Sequence, residues 1–123
     1  QVLRREPTEV TQAMRNGNEF EDLVTRIAAG EDVEKDHKWY AAASKAADKM
    51  LTLKGIDASF TLVRIGDHVH ISGRSNGNVN VQLILEKLHG GGHFDVAGAQ
   101  VSSDSVTAVL ETLKASINDY LEQ

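Results

Sequence analysis

The residues of this chain best suited to chemistry lie between Ser72 and His93. Three consecutive glycines, Gly90-Gly91-Gly92, are followed directly by His93. Such a backbone can take positive φ and lie flush against a ligand, at an entropic cost, and the imidazole adds a donor or acceptor beside the exposed amides. Upstream, Arg74 stands between Ser72 and Ser75, and Asn80 follows a short polar loop. A guanidinium grips phosphate through paired N–H groups, and hydroxyls, an asparagine amide and glycine amides supply further short hydrogen bonds. Together these residues are the kit for a phosphate or nucleotide pocket. Plainer roles stay open for each: a helix C-cap and turn for the glycines, a surface position for Arg74, a helix cap for Asn80, and a local hydrogen bond for His93.

Positioning these groups falls to a set of short elements. Residues 1–18 carry Thr8, Val10, Ala13 and Met14 near helical spacing behind Pro7, and close on the turn-forming Asn16-Gly17-Asn18, which predicts a helix. Phe20, Leu23, Val24, Ile27 and Ala28 suit a helix face by period, although Leu23 to Ile27 also has the composition of a strand. Gly30 to Asp36 reads as an acidic, exposed connection. From His37 to about Leu53, alanines at 41, 42, 43, 46 and 47 with Met50 and Leu51 predict a helix that a neighbour can approach closely. Trp39 at its start is read as a core or interface anchor rather than a base-stacking ring.

Ala58–Ile65 and His68–Gly73 both alternate and are joined by Gly66-Asp67, which predicts a hairpin. His68 and His70 share one strand face, but without an acidic partner in register they are read as solvent-facing residues rather than a metal pair. Val81, Ile84, Leu85 and Leu88 fall at i, i+3, i+4 and i+7, so an amphipathic helix of about ten residues, ~15 Å long, is expected with Asn78 as its N-cap. Arg74 and His93 flank that helix, so they meet only if the glycine loop folds back; the helix start itself is expected to offer amides to an anion. Val96 to Val101 predicts a short strand. Ser103 or Asp104 is expected to cap a final helix carrying Val106, Val109, Leu110, Leu113, Ile117 and Leu121. The expected fold is α/β, a small mixed β-sheet flanked by helices.

Composition narrows the classes of function. A chain of 123 residues with 41% hydrophobic and 25% charged residues is an ordinary single-domain soluble composition. It has no apolar run near the ~20 residues of a membrane span, and it opens Gln1-Val2-Leu3 without an initiator methionine, as a piece of a longer protein would. The absence of cysteine excludes disulfides and thiolate metal sites. A net charge of −5 argues against duplex DNA as a partner, while a few local donors can still hold a small anion. None of the five histidines stands with a carboxylate at ligand spacing, so no metal site is expected within this chain.

Ile71-Ser72-Gly73-Arg74-Ser75, Asn80-Val81-Gln82, Gly90-Gly91-Gly92-His93 and Ala97-Gly98-Ala99 together resemble the DHH-associated C-terminal domain of DHH-type phosphoesterases. Within it they are most similar to cyclic-di-AMP phosphodiesterases of the GdpP/YybT kind. The resemblance is specific over Asp57–Val101 and extends more loosely from Trp39 to the final helix. It implies that residues 36–123 form the nucleotide-binding domain, and that residues 1–35 are a linker helix and connection after a DHH domain outside this chain. It also implies a strand at residues 23–29, which is preferred here over the helical period. The DHH domain would bind manganese and carry the hydrolytic chemistry, so this chain alone should be inactive. Substrate contacts implied by position are Ser72, Arg74, Ser75, Asn80, Gly90, Gly91, Gly92 and His93.

The resemblance further implies a cyclic dinucleotide or short nucleotide substrate, the upstream DHH domain as intramolecular partner, and a cytoplasmic location with membrane anchoring by upstream segments allowed. A homodimer is compatible with it. His89 replaces a further glycine of many relatives, and Val96 replaces an alanine, so substrate identity stays open. The competing functions are a short-oligoribonucleotide or 3′,5′-bisphosphate nucleotide phosphatase of the same superfamily and a non-catalytic nucleic-acid-binding module.

Overall fold

The computed structural model describes residues 9–15, 19–27, 44–45, 47–52 and 55–122. Along the chain come β1 (Glu9–Arg15), β2 (Glu19–Ile27), β3 (Ile56–Ile65), β4 (His68–Ser75), α1 (Val81–Glu86), β5 (Gly91–Gly92), β6 (Val96–Ser102) and α2 (Val106–Leu121). A helical stretch at residues 44–45 and 47–51 precedes β3. The strands form one six-stranded sheet in the order β2-β1-β3-β4-β6-β5. The α/β layering expected from the sequence holds. Within it the sheet is antiparallel at every described pairing rather than mixed in direction.

The β3–β4 hairpin is the frame on which the rest is hung. Ile65 pairs with His68 across the two-residue turn, and Gly66 takes φ 63°. Asp67 keeps an ordinary negative φ, as in the primed turn type that places positive φ at its first central residue alone. Phe60, Leu62, Val69 and Ile71 on one face of this hairpin are fully buried. They pack with Ala97 and Ala99 of β6, with Val81, Ile84 and Leu85 of α1, and with Val109, Leu110, Leu113 and Ile117 of α2.

The helix expected over the first 18 residues is corrected: Glu9–Arg15 is a strand. β1 lies between β2 and β3 and pairs with both, Val10 opposite Arg26 on one side and Leu62 on the other. Residues 9–15 and 19–27, expected in a linker, are thus bonded into the sheet. Seven residues with three or four apolar positions do not separate the two periods. The strand is held on one side by β2, which follows it closely, and on the other by β3, about fifty residues downstream, where local propensity does not reach. β2 likewise confirms the strand implied near residues 23–29 against the helical period. The Asn16-Gly17-Asn18 turn, the connection at residues 30–36 and the helix start with Trp39 lie outside the described residues.

α2 holds α1 in place at three points. Ser116 Oγ donates to the Ile84 carbonyl at 2.6 Å, the Asn80 amide donates to Tyr120 Oη at 3.0 Å, and Lys87 pairs with Asp119 at 3.0 Å. Both caps differ from expectation. Asn80, not Asn78, caps α1 by accepting from the Leu83 amide, and Ser105 caps α2 by accepting from the Ala108 amide. Ser103 instead accepts from the Ser105 amide and sets the entry to the cap.

Candidate functional site

The glycine loop does fold back. α1 has six residues, about 9 Å of helix, and it ends in two hydrogen bonds: the Gly90 amide donates to the Leu85 carbonyl at 2.9 Å and the His89 amide to the Glu86 carbonyl at 3.1 Å. His89 takes φ 62° between them. This is a Schellman closure with histidine in the left-handed position normally given to glycine. It turns the chain into β5, where Gly91 pairs with Gly98 and Gly92 with Ala97. The His93 amide then donates to the Val96 carbonyl at 2.7 Å, closing the hairpin into β6.

Residues His93–Asp95 are thereby laid between the end of β4 and the start of α1. The Ser75 amide donates to the Asp95 carbonyl and the Val81 amide to the Phe94 carbonyl, each at 2.9 Å. Arg74 is the register partner of Val96, so Arg74 and His93 are both backbone neighbours of that one residue. The strand end and the glycine loop thus lie on either side of Val96.

Not every expected residue is free to meet a ligand. Ser75 is buried and its hydroxyl accepts from the amides of Gly77 at 3.0 Å and Val79 at 3.2 Å, which shapes the loop at residues 76–79. Ser72 is 2% exposed and shares a 3.1 Å hydrogen bond with His70 Nε2. Asn80 spends its side-chain oxygen on the helix cap. At the helix start, where amides are expected to face an anion, those of Val81 and Leu83 are taken by the Phe94 carbonyl and the Asn80 side chain.

The glycines divide into two kinds. A Cβ on Gly90 would collide with the Gly98 carbonyl and lie 2.6 Å from Ala99 Cβ; one on Gly92, at φ 142°, would lie 2.6 Å from the Val96 carbonyl. These two are required by packing. A Cβ on Gly91 would meet nothing within 4 Å. The central glycine is exposed, as are His93 and Phe94 after it.

Arg74 carries the charge of the site. Its side chain is 15% exposed. Nε donates to Asp48 Oδ1 at 3.0 Å, and Nη1 donates to the Gly73 carbonyl at 2.8 Å. The reading of His68 and His70 as solvent-facing is corrected, because both are half-buried on the sheet face turned away from α1 and α2. Burial first, and then the nearby His68 and Arg74, hold the His70 ring below its ordinary pKa. Among the described residues no group of three His, Cys, Asp or Glu could hold a metal ion, and no helix is long and apolar enough to cross a membrane.

Two residues near the site were not singled out in the sequence. Asp48 is one acid in an alanine-rich stretch of sequence, and only the packing of helical residues 47–51 beside β3 reveals its partner. Phe94 directly follows the glycine-histidine motif, which was the available signal; its side chain is 45% exposed.

The chain matches the DHHA1 domain over residues 17–119. It belongs to the DHHA1 domain family. This DHHA1 domain is 41% identical over 97 residues to the cyclic-di-AMP phosphodiesterase GdpP of Bacillus subtilis, which covers 78% of this chain and 15% of that protein. It is 44% identical over 97 residues to GdpP of Geobacillus thermodenitrificans, over 78% of this chain and 14% of that one. Against the cyclic-di-AMP phosphodiesterase PdeA of Listeria monocytogenes it is 34% identical over 121 residues, or 98% of this chain and 18% of the relative. The DHHA1 domain thus spans less than a fifth of the relatives it matches.

Proposed function

We propose that this DHHA1 domain binds the phosphate and nucleotide of cyclic-di-AMP within a larger cytoplasmic phosphodiesterase. The observation that carries the proposal is the folded-back loop, which brings exposed Gly91 and His93 to one side of β6 while the end of β4 that bears Arg74 lies on the other. Arg74 supplies the charge-assisted contact to phosphate, Gly91 gives the ligand an unobstructed approach to backbone, and His93 adds a ring donor. Ser72, Ser75, Asn80, Gly90 and Gly92 act as the frame that holds these three in position.

Among the described residues no cluster of side chains suits a divalent metal. Manganese, held by an upstream DHH domain, would supply the hydrolytic water. The isolated domain, given manganese and cyclic-di-AMP, is then expected to leave the substrate intact.

The test is Arg74→Ala in the full-length protein. A hydrogen bond to a charged group is worth ~1.5–3 kcal/mol, so the Michaelis constant for cyclic-di-AMP should rise roughly tenfold to more than a hundredfold. An unchanged constant together with a lowered melting temperature would overturn the assignment and leave Arg74 a structural residue.

A further inference from the structure

Asp48 reaches Arg74 through a path of fixed contacts. In the sheet, Ser59 of β3 is the cross-strand partner of Arg74. The Ser59 hydroxyl donates to the carbonyl of Ala47, which is fully buried. That bond fastens the helical stretch at residues 47–51 to the strand pair and presents the next residue, Asp48, to the guanidinium. The carboxylate takes Nε, while the Gly73 carbonyl takes Nη1.

Two of the five guanidinium N–H groups are engaged in this way, on different nitrogens, and the guanidinium plane is fixed between them. With Nε held by Asp48 and one Nη1 N–H by the Gly73 carbonyl, a phosphate is left the remaining N–H groups, one on Nη1 and two on Nη2. Arg74 is 15% exposed but Asp48 is 64% exposed, so water screens the carboxylate and limits what the pair adds to stability. Its consequence is orientation. We propose that Asp48 is a positioning residue, which orders Arg74 before the substrate phosphate arrives and dictates the N–H groups by which that phosphate is gripped. The inference rests on the proposed role of Arg74 as the phosphate contact and goes beyond it, because it assigns a function to a residue outside the glycine-loop and strand-end motifs.

A preordered arginine spares the binding step the cost of immobilising a long side chain. Asp48→Ala should therefore raise the Michaelis constant for cyclic-di-AMP about two- to tenfold, with a smaller change in kcat and an unaltered melting temperature. Asp48→Asn keeps an oxygen for Nε and should restore most of the loss.

The experiment is steady-state kinetics and thermal melting on the full-length protein, with Asp48→Ala and Asp48→Asn made alone and in an Arg74→Ala background. In that background neither Asp48 change should have a further effect. A lower Michaelis constant in Asp48→Ala would show the carboxylate competing with phosphate and would overturn the proposal. So would an Asp48→Asn variant as impaired as Asp48→Ala. If Asp48→Ala is silent while Arg74→Ala is impaired, the positioning role falls and the phosphate role of Arg74 stands. If Arg74→Ala is itself silent, both fall.

Discussion

The amide of Ser75 and the carbonyl of Asp95 are joined at 2.9 Å, and this bond ties two motifs that lie twenty residues apart in the chain. It continues the β4–β6 ladder by one step beyond Arg74 and Val96. The strand end and the glycine loop are therefore parts of one rigid surface, and each substitution below reports on that surface or on a ligand, seldom on both.

Gly90 and Gly91 are adjacent but should respond to alanine in opposite ways. Gly90→Ala drives a methyl group into the backbone of β6 and the end of α1. Overpacking of this kind costs typically ~1–3 kcal/mol, and chemical denaturation should show the loss. Gly91→Ala has open space around it and should melt within a degree or two of the parent while weakening nucleotide affinity. Unimpaired affinity in Gly91→Ala would remove the central glycine from the ligand surface.

His89 occupies a glycine's conformation at φ 62° with its side chain exposed. An L-residue there costs roughly 1–2 kcal/mol, partly offset by the greater unfolded-state freedom glycine would bring. His89→Gly should consequently stabilise the domain by about 0.5–1 kcal/mol, measured as a shift in denaturant midpoint at constant slope. A destabilised variant would mean that the imidazole makes a contact worth more than the strain.

How much of this was legible in the sequence depended on how local the cause was. The β3–β4 hairpin was, because alternation and a Gly-Asp turn lie within eighteen residues. α1 was, because Val81, Ile84, Leu85 and Leu88 all face one core. β1 was not, because seven residues do not separate the strand period from the helical one and one of its two partners, β3, lies far along the chain. The site motifs were visible, but their division of labour was not. Whether Ser75 faces a ligand or the amides of Gly77 and Val79 is decided by the path of the loop. Asp48 was invisible for the same reason, since the strand it approaches is determined only by packing.

His70 makes the stability of the domain depend on pH. Burial, His68 and Arg74 all disfavour its protonated form, so the folded-state pKa lies below the unfolded value of ~6.5. In that interval the unfolded chain binds more protons, and stability rises with pH. The contribution is fully present above about pH 6.5 and is lost as pH falls toward the depressed folded value. Melting curves between pH 7.5 and 5 should show a decline that is shallower in His70→Gln, which retains a group for Ser72. Equal slopes in the two proteins would assign the acid sensitivity elsewhere.

His93 separates a binding role from a metal-ligand role. The residue is exposed, its amide is spent on the Val96 carbonyl, and no metal-ligating cluster includes it among the described residues. Removing an exposed ring should leave stability nearly untouched. If the ring donates to a substrate phosphate, His93→Ala in the full-length protein should cut affinity or turnover by about tenfold or more, the scale of one hydrogen bond to a charged group. Bound manganese should stay at the parent level. His93→Gln keeps a neutral N–H at similar reach and should recover part of the loss, whereas a metal ligand would seldom be replaced by an amide. Metal analysis beside steady-state kinetics on the two variants decides the matter. Loss of manganese from His93→Ala would move this histidine into a metal centre and overturn the proposed division between a nucleotide-holding domain and a metal-bearing one.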